Sequence, residues 1–445
     1  MGILKTFTLG GVHPEENKLS SNTPIEVMSL PDQAIVPLGQ NLGAPSKPIV
    51  KKGDKVKTGQ LIAEAGGFIS ANIHSPVSGT VLKIDNLIGM SGFRRPSIVI
   101  NTDGDEWEEN IDRSANLVTE ISDSSQEIVE KIKQAGLVGM GGATFPTFVK
   151  LMPPPGKKAD YLIVNGVECE PYLTADHRLM LEKGQEIVVG TKILMKALKA
   201  DKAIIGIENN KPDAISHMAE LTRNEKNITV IPLKVKYPQG GERQLIKSTL
   251  NREVPSGKLP IEVGCVVQNV GTVFAVYEAV QKNKPLFERV VTVTGKSVKK
   301  PSNFLTRIGT PISKLVEAAE GLPENTGKII GGGPMMGKAL ASLDVPVVKG
   351  SSGILLMPDE ESHRKPESPC IRCSKCTQVC PMGLEPFLLA RVSKVGKFDL
   401  AENEKIMDCI ECGSCQYTCP ANIPLLDYLR LGKSKVGNII RNRKK

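Results

Sequence analysis

The chain has 445 residues, of which 40% are hydrophobic and 42 are glycine, and its formal net charge is +9. This length suits two to four domains with buried cores. No stretch approaches 18 apolar residues without charge, since even residues 261–280 carry Glu262 and Glu278, and this excludes a membrane-spanning helix. The opening MGILKTFTLGG lacks the apolar core of a signal peptide, so we expect a cytosolic protein.

Residues 1–110 are β-rich and begin with an arm that contains a GGVHP loop, Gly10–Pro14, for which the sequence predicts no role. The segment IVKKGDKVKTGQLIAEA predicts two strands around a Gly53–Asp54 turn, and ANIHSPVSGTVLKIDN predicts a further hairpin. These turns resemble those of the barrel-sandwich hybrid in biotinyl and lipoyl carrier domains. A carrier needs a lysine at the hairpin tip, but residues 65–71 read AGGFISA, so we expect no covalent swinging arm.

A polar linker at about residues 103–125 precedes a predicted amphipathic helix over 126–134 and then a cluster of glycines. We call residues 139–144, GMGGAT, the glycine loop. Glycine lets a backbone approach a phosphate closely, and the helix predicted after the loop offers free N–H donors. A helix rather than a strand precedes the loop, so it is not a Rossmann fingerprint, and a flexible turn is an equal alternative. The candidate binding residues are Gly139, Gly141, Gly142 and Thr144.

A buried strand is predicted over residues 158–164, and polar residues follow it directly in NGVECEPYLTADHRLM. Ligands of open α/β sheets bind beyond the carboxyl ends of the strands. Glu168 and Glu170, spaced by two on an extended segment, are expected to point the same way and to disfavour ionising together. A solvated acidic loop is the alternative. The residues predicted to hydrogen-bond ribose or nicotinamide groups are Asn165, Glu168, Glu170 and Asp176.

The α/β pattern continues with strands predicted over 202–208 and 228–235, a helix between them at 212–220, and an apolar strand that ends at Asn269. The cysteines of this region, Cys169 and Cys265, are expected to behave as small hydrophobes. Farther along, VVTVTG, TRIGTPISKLVEAAEGL and KIIGGGPMMG predict a ββα-like unit. Its glycine-rich end is interpreted as a turn rather than as a second nucleotide cradle.

Eight of the ten cysteines lie in two copies of C-x2-C-x2-C-x3-C-P, which read CIRCSKCTQVCP and CIECGSCQYTCP. Three closely spaced thiolates wrap one cubane cluster, and the fourth ligates the neighbouring cluster in two-cluster ferredoxins. Zinc sites use paired C-x2-C units, and disulfide scaffolds belong to short secreted chains, so both alternatives are disfavoured. We predict one [4Fe-4S] cluster on Cys370, Cys373, Cys376 and Cys419, and a second on Cys409, Cys412, Cys415 and Cys380.

The C-terminal end is predicted as a short helix over 425–431 followed by a basic tail, residues 432–445. The tail contributes six positive charges and no acid, so it is either a solvated disordered end or a surface for anionic lipid or an acidic partner. Nucleic acid is the weakest option because no aromatic residue is interleaved. The basic residues are Lys433, Lys435, Arg441, Arg443, Lys444 and Lys445.

Taken together, the glycine loop, the strand and the N-x-x-E-x-E-P segment resemble the flavin- and NADH-binding subunit of respiratory complex I. Within this resemblance, Gly241 and Glu242 in the segment YPQGGERQLI align with a glycine and an acid of that family. Farther along the chain, Asn269 aligns with a flavin-contacting asparagine. The domain order is similar to that of the C subunit of the Rnf electron-transport complex. The resemblance covers nearly the whole chain.

The resemblance implies a multidomain α/β protein. Its predicted units are a barrel-sandwich hybrid (1–110), a complex-I-like FMN/NADH-binding domain (125–285), an SLBB β-grasp module (286–350), a ferredoxin-like domain with two [4Fe-4S] clusters (362–431) and the basic tail (432–445).

The implied function is electron transfer between NAD(H), FMN and the two clusters, as a peripheral subunit on the cytoplasmic side of the cell membrane. The implied partners are other subunits of a membrane redox complex and a ferredoxin-like carrier, with an anionic membrane surface facing the tail. Two alternatives remain: a soluble reductase of the same architecture, or an iron–sulfur relay that has lost flavin. The second arises because Met140 stands where the family has arginine, and Val167 and Cys169 interrupt its acidic pattern.

Overall fold

The computed structural model describes residues 4–443. Its N-terminal part forms eight strands: β1 (Ile25–Val27), β2 (Gln33–Pro37), β3 (Lys47–Pro48), β4 (Lys55–Val56), β5 (Leu61–Glu64), β6 (Ile73–His74), β7 (Ser78–Ile88) and β8 (Arg94–Gly104). Two small antiparallel sheets, β2-β8-β7-β4 and β3-β5-β6, enclose a core that includes Val36, Ile62 and Ile98. The predicted barrel-sandwich hybrid is confirmed.

The central unit alternates helices and strands. Its elements are α1 (Ser125–Gln134), α2 (Thr147–Lys150), β9 (Tyr161–Asn165), α3 (Ala175–Glu182), α4 (Gly184–Leu198), β10 (Lys202–Glu208), α5 (Pro212–Leu221), β11 (Ile228–Leu233), α6 (Glu242–Leu250), a 3-10 helix (Pro260–Val263), β12 (Cys265–Asn269) and α7 (Val270–Gln281). The start of α1 is fixed by a capping box between Ser124 and Glu127. The predicted helix over 126–134 is therefore confirmed.

The four strands of the central sheet are parallel and lie in the order β11-β10-β9-β12. The chain runs outward from β9 to β10 and β11 and then crosses back to place β12 on the other side of β9. Such a reversal of strand order opens a crevice beyond the carboxyl ends of the two strands where it occurs. The last residues of those strands, Asn165 and Asn269, are register partners.

The third unit is a six-stranded sheet in the order β1-β14-β13-β17-β15-β16. Its elements are β13 (Glu288–Thr294), β14 (Ser302–Arg307), α8 (Ile312–Ala318), β15 (Thr326–Gly331), β16 (Lys338–Ala339), β17 (Gly353–Pro358) and α9 (Asp359–Ser362). The predicted end at residue 350 is wrong, because the apolar strand β17 pairs with both β13 and β15. Strand β1 comes from the N-terminal arm and pairs with β14.

The C-terminal unit is helical and contains both cysteine runs. Its elements are α10 (Lys375–Gln378), α11 (Pro386–Lys394), α12 (Phe398–Asn403), a 3-10 helix (Ile406–Asp408), α13 (Ser414–Tyr417) and α14 (Leu425–Arg443). Apolar side chains of these helices, including Leu389, Ile406 and Leu429, form its core.

The predicted helix end at Leu431 is wrong, because α14 continues to Arg443. Val436 is fully buried, and Gly432 packs against Ser393, so the apolar face of the helix continues through the basic segment. Several of the basic side chains pair with acids of the same unit, as Arg443 does with Glu402 at 2.8 Å. Residues 432–443 therefore do not form a disordered tail, while Lys444 and Lys445 lie outside the described residues.

Within residues 4–443, no helix combines the length and the apolar character needed to cross a membrane.

Candidate functional site

The carboxyl edge of β9 and β12 brings together three of the predicted site residues. Asn165 Nδ2 donates to Gly240 O at 2.9 Å, which fixes the loop before α6. Asn269 caps α7 by accepting a hydrogen bond from Gly271 N at 2.9 Å, and its Nδ2 donates to Asp176 Oδ2 at 2.6 Å. The crevice that the strand order predicts is thus lined by two oriented amides and one carboxyl group.

The glycine loop lies against this edge. Met140 N donates to Thr272 Oγ1 at 2.9 Å, which attaches the loop to the first turn of α7. A Cβ on Gly141 would lie 2.9 Å from the Cβ of Asn269, so only glycine fits without displacing this amide. Gly142, in contrast, faces open space, with no atom within 4 Å of an added Cβ. The loop therefore packs closely on one side and leaves room for a ligand on the other.

The two ends of the glycine loop are held by backbone hydrogen bonds. Gly139 N donates to Phe145 O at 2.8 Å, which closes the loop before α2 begins. Thr144, in a left-handed conformation with φ of 53°, accepts a hydrogen bond from Leu42 N of the barrel-sandwich hybrid at 3.1 Å. Both ends of the loop are therefore anchored, and its role as a binding loop stays a prediction.

Glu168 and Glu170 point apart, contrary to the prediction that they share a direction. Glu168 has a left-handed φ of 45°, which breaks the alternation of an extended segment. Its carboxylate accepts hydrogen bonds from the N–H groups of Asp176 and His177 at the start of α3, at 2.8 and 3.1 Å. Burial, and then the charge of Glu168, raise the pKa of Asp176 above its usual range.

Glu170 connects the central unit to the third unit. Its carboxyl oxygens accept hydrogen bonds from Met335 N at 3.1 Å and Met336 N at 2.7 Å, and Tyr237 donates to it at 3.4 Å. Burial raises the pKa of Glu170 to about 7. The glycine-rich segment before Met335 is a turn that receives this carboxyl group, since a Cβ on Gly333 would overlap it. A direct cofactor contact of Glu170 stays a prediction.

Gly241 and Glu242 stand at the start of α6, beside Gly240. Glu242 pairs with Lys150 of α2 at 2.8 Å, and Lys150 also donates to Val267 O on β12 at 3.1 Å. Sequence reasoning missed Lys150, although its place in the helix that follows the glycine loop was a usable signal. This ammonium group places a positive charge near the end of β12, where an anionic ligand would be stabilised.

Two lysines outside the predicted set, the half-buried Lys18 and the buried Lys211, hold the polar segment after β9. Lys18 of the N-terminal arm donates to the carbonyls of Glu168, Glu170 and Leu173 at 2.7–2.9 Å, and burial lowers its pKa to about 8. Lys211 donates to Val167 O at 2.8 Å. No local sequence pattern identifies either residue, because their partners lie more than forty positions away in the chain.

The second predicted cysteine set lines one cavity in the C-terminal unit. Cys380, from the first run, lines it together with three cysteines of the second run, as the predicted crossing requires. The remaining lining is largely apolar, with Leu384, Leu389 and Leu429 among it. Those three cysteines are Cys409, Cys412 and Cys415.

The first cysteine set is more open. Cys376 and Cys419 are half-buried and pack against the same core of the unit, whereas Cys370 and Cys373 are exposed. The assignment of these four cysteines to one cluster stays a prediction.

The cavity fits an iron–sulfur cluster on the chemistry of its donors. Burial raises the pKa of Cys409 to about 11, so this thiol needs a bound cationic metal to become a thiolate. Among residues 4–443, no group of three or more His, Cys, Asp or Glu side chains is arranged so that it could hold a single metal ion. Four cysteines around a cavity suit a multi-atom cluster, whereas zinc requires sulfurs at about 2.3 Å from one centre.

One loop, residues 237–241, contacts both sites. Tyr237 donates to Cys412 O at 2.8 Å, while Gly240 accepts the hydrogen bond from Asn165. One turn later, Gln244 Nε2 donates to Pro381 O at 3.2 Å, next to Cys380. The cavity of the second cysteine set therefore adjoins the loop that forms the edge of the α/β crevice.

The GGVHP loop fills the space beside this contact. Val12 forms a pair of backbone hydrogen bonds with Tyr237, both at 2.9 Å, and Gly11 N donates to Val379 O at 2.9 Å. Gly10 has a φ of 66°, and its added Cβ would lie 2.6 Å from the backbone of Cys380, so glycine is required there. The sequence predicted no role for the GGVHP loop. In the structure this loop holds the central unit and the cysteine-containing unit together.

Comparison with known proteins assigns each unit. Family models match the "RnfC Barrel sandwich hybrid domain" over residues 5–105, the "Nuo51 FMN-binding domain" over 132–278, the "SLBB domain" over 290–339 and the "4Fe-4S dicluster domain" over 363–420. The fold and site thus define a class of redox proteins that combine an FMN-binding domain with a two-cluster domain.

The relatives specify the family within that class. The C subunit of the proton-translocating ferredoxin:NAD(+) oxidoreductase complex of Clostridium ljungdahlii is 48% identical, covering 97% of this chain and 94% of the relative. The C subunit of the Na(+)-translocating ferredoxin:NAD(+) oxidoreductase complex of Acetobacterium woodii is 43% identical, covering 96% of each. The C subunit of the ion-translocating oxidoreductase complex of Rhodobacter capsulatus is 42% identical, covering 97% and 84%. The chain belongs to this family of C subunits.

Proposed function

We propose that this chain is the peripheral electron-transfer subunit of a membrane-bound, ion-translocating ferredoxin:NAD oxidoreductase. It passes electrons between NAD(H) and a protein partner by way of FMN and two [4Fe-4S] clusters. The observation that carries the proposal is the loop 237–241, which contacts the α/β crevice through Gly240 and the second cysteine set through Tyr237. Full-length similarity to complex subunits gives no support to a soluble reductase or a flavin-free relay.

FMN exchanges a hydride with nicotinamide and single electrons with iron–sulfur clusters. For this group the chain supplies the carboxyl edge of β9 and β12, where Asn165 and Asn269 are held in place by hydrogen bonds to Gly240 and Asp176. The open side of Gly142 lets the backbone approach a phosphate. Lys150 contributes the positive charge that a phosphate or a reduced flavin requires, and Glu242 holds that ammonium group in place.

The contacts also indicate the order in which electrons pass through the two clusters. The set of Cys380, Cys409, Cys412 and Cys415 lies next to the crevice, so we call its cavity the inner site. The other set includes the exposed Cys370 and Cys373, so we call it the outer site. Electrons from NADH would reach the inner site first and leave through the outer site to a ferredoxin-like carrier or another subunit.

The same proposal places the chain on the cytoplasmic side of the membrane, bound to membrane-embedded subunits that move the ion. Any contact with anionic lipid would involve the exposed basic side chains of α14, such as Lys435, rather than a free tail. Affinity purification of the tagged chain from membranes, followed by identification of the co-purified subunits, separates this proposal from a soluble reductase.

The redox proposal is tested on the anaerobically purified and reconstituted chain. We expect about eight irons and about one FMN per chain, with NADH-dependent reduction of a dye. Flavin-free protein that ignores NADH but keeps both clusters would instead identify an iron–sulfur relay. About four irons, or zinc in their place, would remove the electron path.

A matched glycine pair tests where the flavin binds. Gly141→Ala places a Cβ against Asn269, so we expect lower flavin content and a melting temperature reduced by overpacking that costs about 1–3 kcal/mol. Gly142→Ala meets no protein atom within 4 Å, so it should leave the melting temperature unchanged and weaken only flavin binding. Full flavin content in both variants would contradict a cofactor seated at the glycine loop.

A further inference from the structure

The hairpin tip of the barrel-sandwich hybrid, residues 65–71, is closed by its own side chains. Gly66 N donates to Ser70 Oγ at 2.9 Å, and Ser70 Oγ donates in turn to Ala44 O at 2.8 Å. Ala65 N donates to Asn72 Oδ1 at 3.0 Å across the base of the tip. These three hydrogen bonds make the tip a shaped element of the surface.

The tip is also fastened to the central unit. The buried Lys349 donates to Asn72 O at 2.6 Å and to Gly136 O at 2.7 Å, so one ammonium group joins the hairpin to the end of α1. Asn72 Nδ2 donates to Gln134 O at 3.2 Å. A hairpin held in this way cannot swing between sites as a carrier arm does, and it keeps a constant position beside the glycine loop.

Phe68 lies at the end of this fixed tip and is 66% exposed. Its ring meets that of Phe148 edge to face, with centroids 6.0 Å apart and an angle of 83° between the planes. Phe148 is buried in the first turn of α2, directly after the glycine loop, and the same short helix carries Lys150. Single exposed apolar residues are common, but this ring sits on a hydrogen-bonded tip and contacts the helix that follows the glycine loop.

We propose that Phe68 stacks on a planar base of NAD(H) bound at the glycine loop, so that the barrel-sandwich hybrid supplies one wall of the dinucleotide site. The proposal rests on the proposed function and adds a binding residue from outside the FMN-binding domain. A flat base needs an aromatic face that is open and immobile, and a stacked base contributes a substantial share of nucleotide affinity. The tip provides such a face where carrier domains would present their lysine.

Phe93 is a matched control within the same unit. It is 68% exposed and lies in the turn between β7 and β8, whose residue Met90 approaches Gly331 of the third unit rather than the glycine loop. Truncating either phenylalanine removes the same exposed ring. Only Phe68→Ala should therefore change NADH binding.

The test measures NADH affinity by isothermal titration calorimetry, and KM and kcat by dye reduction, on the reconstituted chain with both clusters and FMN. For Phe68→Ala we expect the Kd and KM of NADH to rise about tenfold, with kcat at saturation, FMN content and iron content unchanged. Phe68→Trp should restore wild-type affinity because it keeps an aromatic face. Phe93→Ala should match the wild type.

Wild-type Kd and KM in Phe68→Ala would overturn the stacking proposal while leaving the proposed redox function intact. An equal rise in Phe93→Ala would overturn it as well, since the effect would not be specific to the tip. A lower melting temperature of Phe68→Ala with unchanged affinity would assign the ring to packing on Phe148. A wild-type chain that binds no NADH would overturn both this proposal and the proposed function.

Discussion

The two cysteine runs have the same spacing but different surroundings. The inner site is enclosed, with Cys380, Cys412 and Cys415 all less than one-tenth exposed, whereas Cys370 and Cys373 of the outer site face solvent. The motif alone does not cause this difference. The inner site is covered because Tyr237, the GGVHP loop and the turn before Met335 all pack against it.

The repeated ligand motif determines the type of cluster that each site binds. The difference in surroundings shows that contacts from distant parts of the chain determine the role of each copy. Burial and hydrogen bonding around a cluster govern its potential and its access to partners. An enclosed site suits transfer within the chain, and an exposed site suits transfer to another protein. Substitutions at each site test this division of roles.

The strongest test removes one ligand from each site. Cys412→Ser should lower iron content to about four per chain and abolish reduction of the remaining cluster by NADH, because the inner site lies next to the crevice. Cys373→Ser should also leave about four irons, but NADH should still reduce the cluster that remains. Iron analysis and the loss of visible absorbance on adding NADH measure both effects. Failure of NADH to reduce the cluster in Cys373→Ser would contradict the proposed order.

A second test concerns α14, which lines the inner cavity through Leu426 and Leu429. Val436→Asp buries a carboxylate in the core of the unit and should destabilise it by more than about 2 kcal/mol, with loss of both clusters on purification. Lys435→Asp changes charge at the exposed neighbouring position and should retain both clusters. Thermal unfolding with parallel iron analysis distinguishes the two variants. Equal stability would mean that residues 432–443 are the loose tail that the charges suggested.

A third test concerns the bridge between the crevice and the inner site. Tyr237→Phe removes the hydroxyl that donates to Cys412 O, and leaving this buried carbonyl unpaired should cost about 1 kcal/mol. Tyr277→Phe removes a hydroxyl that accepts a hydrogen bond from Val118 N at 3.0 Å, away from the cysteine runs. Rapid mixing with NADH should show inner-cluster reduction several-fold slower in Tyr237→Phe only. Equal rates in both variants would mean that the loop contributes stability but no electronic contact.

The sequence predicted what depends on local pattern. The helix α1 and the strand ending at Asn269 are encoded by residues close together in the chain, and the structure places both as expected. The left-handed backbone conformation of Glu168 turns its side chain away from the direction that strand alternation predicted. Lys18 and the pairing of β1 with β14 were missed because each depends on a partner more than 90 residues away.

The helix α14 illustrates a different limit of sequence reasoning. Its basic residues suggested a solvated end, although Leu425, Leu429, Val436 and Ile440 continue one apolar face at helical spacing. The many basic residues of this segment made its apolar helical periodicity easy to overlook. Basic side chains remain compatible with a packed helix because they lie on its other faces and pair with neighbouring acids, as Arg443 does with Glu402.

The smallest expected effect comes from Glu170, which has no counterpart at the outer site. Its carboxyl group holds Met335 and Met336. The carbonyl of Met335 lies against the second cysteine run, since an added Cβ on Gly413 would lie 2.7 Å from it, and the carbonyl of Met336 accepts a hydrogen bond from Arg430 of α14 at 2.9 Å. Burial raises the pKa of Glu170 from 4.5 to about 7. Between these values the folded chain keeps a proton that the unfolded chain has released, so stability falls as the pH rises through this window.

Glu170→Gln removes this titration, so between pH 5 and 7 the free energy of unfolding of the wild type should fall more steeply than that of the variant. The difference in slope should reach at most about 1.4 kcal/mol per pH unit, the value for one proton. Unfolding followed at a series of pH values gives both slopes, and Glu262→Gln, at an exposed ion pair, should retain the wild-type slope. Identical slopes in wild type and Glu170→Gln would show that this carboxyl group is already ionised in the folded chain at pH 5. The turn over the inner site would then be held by a permanent charge rather than by a group that titrates near neutrality.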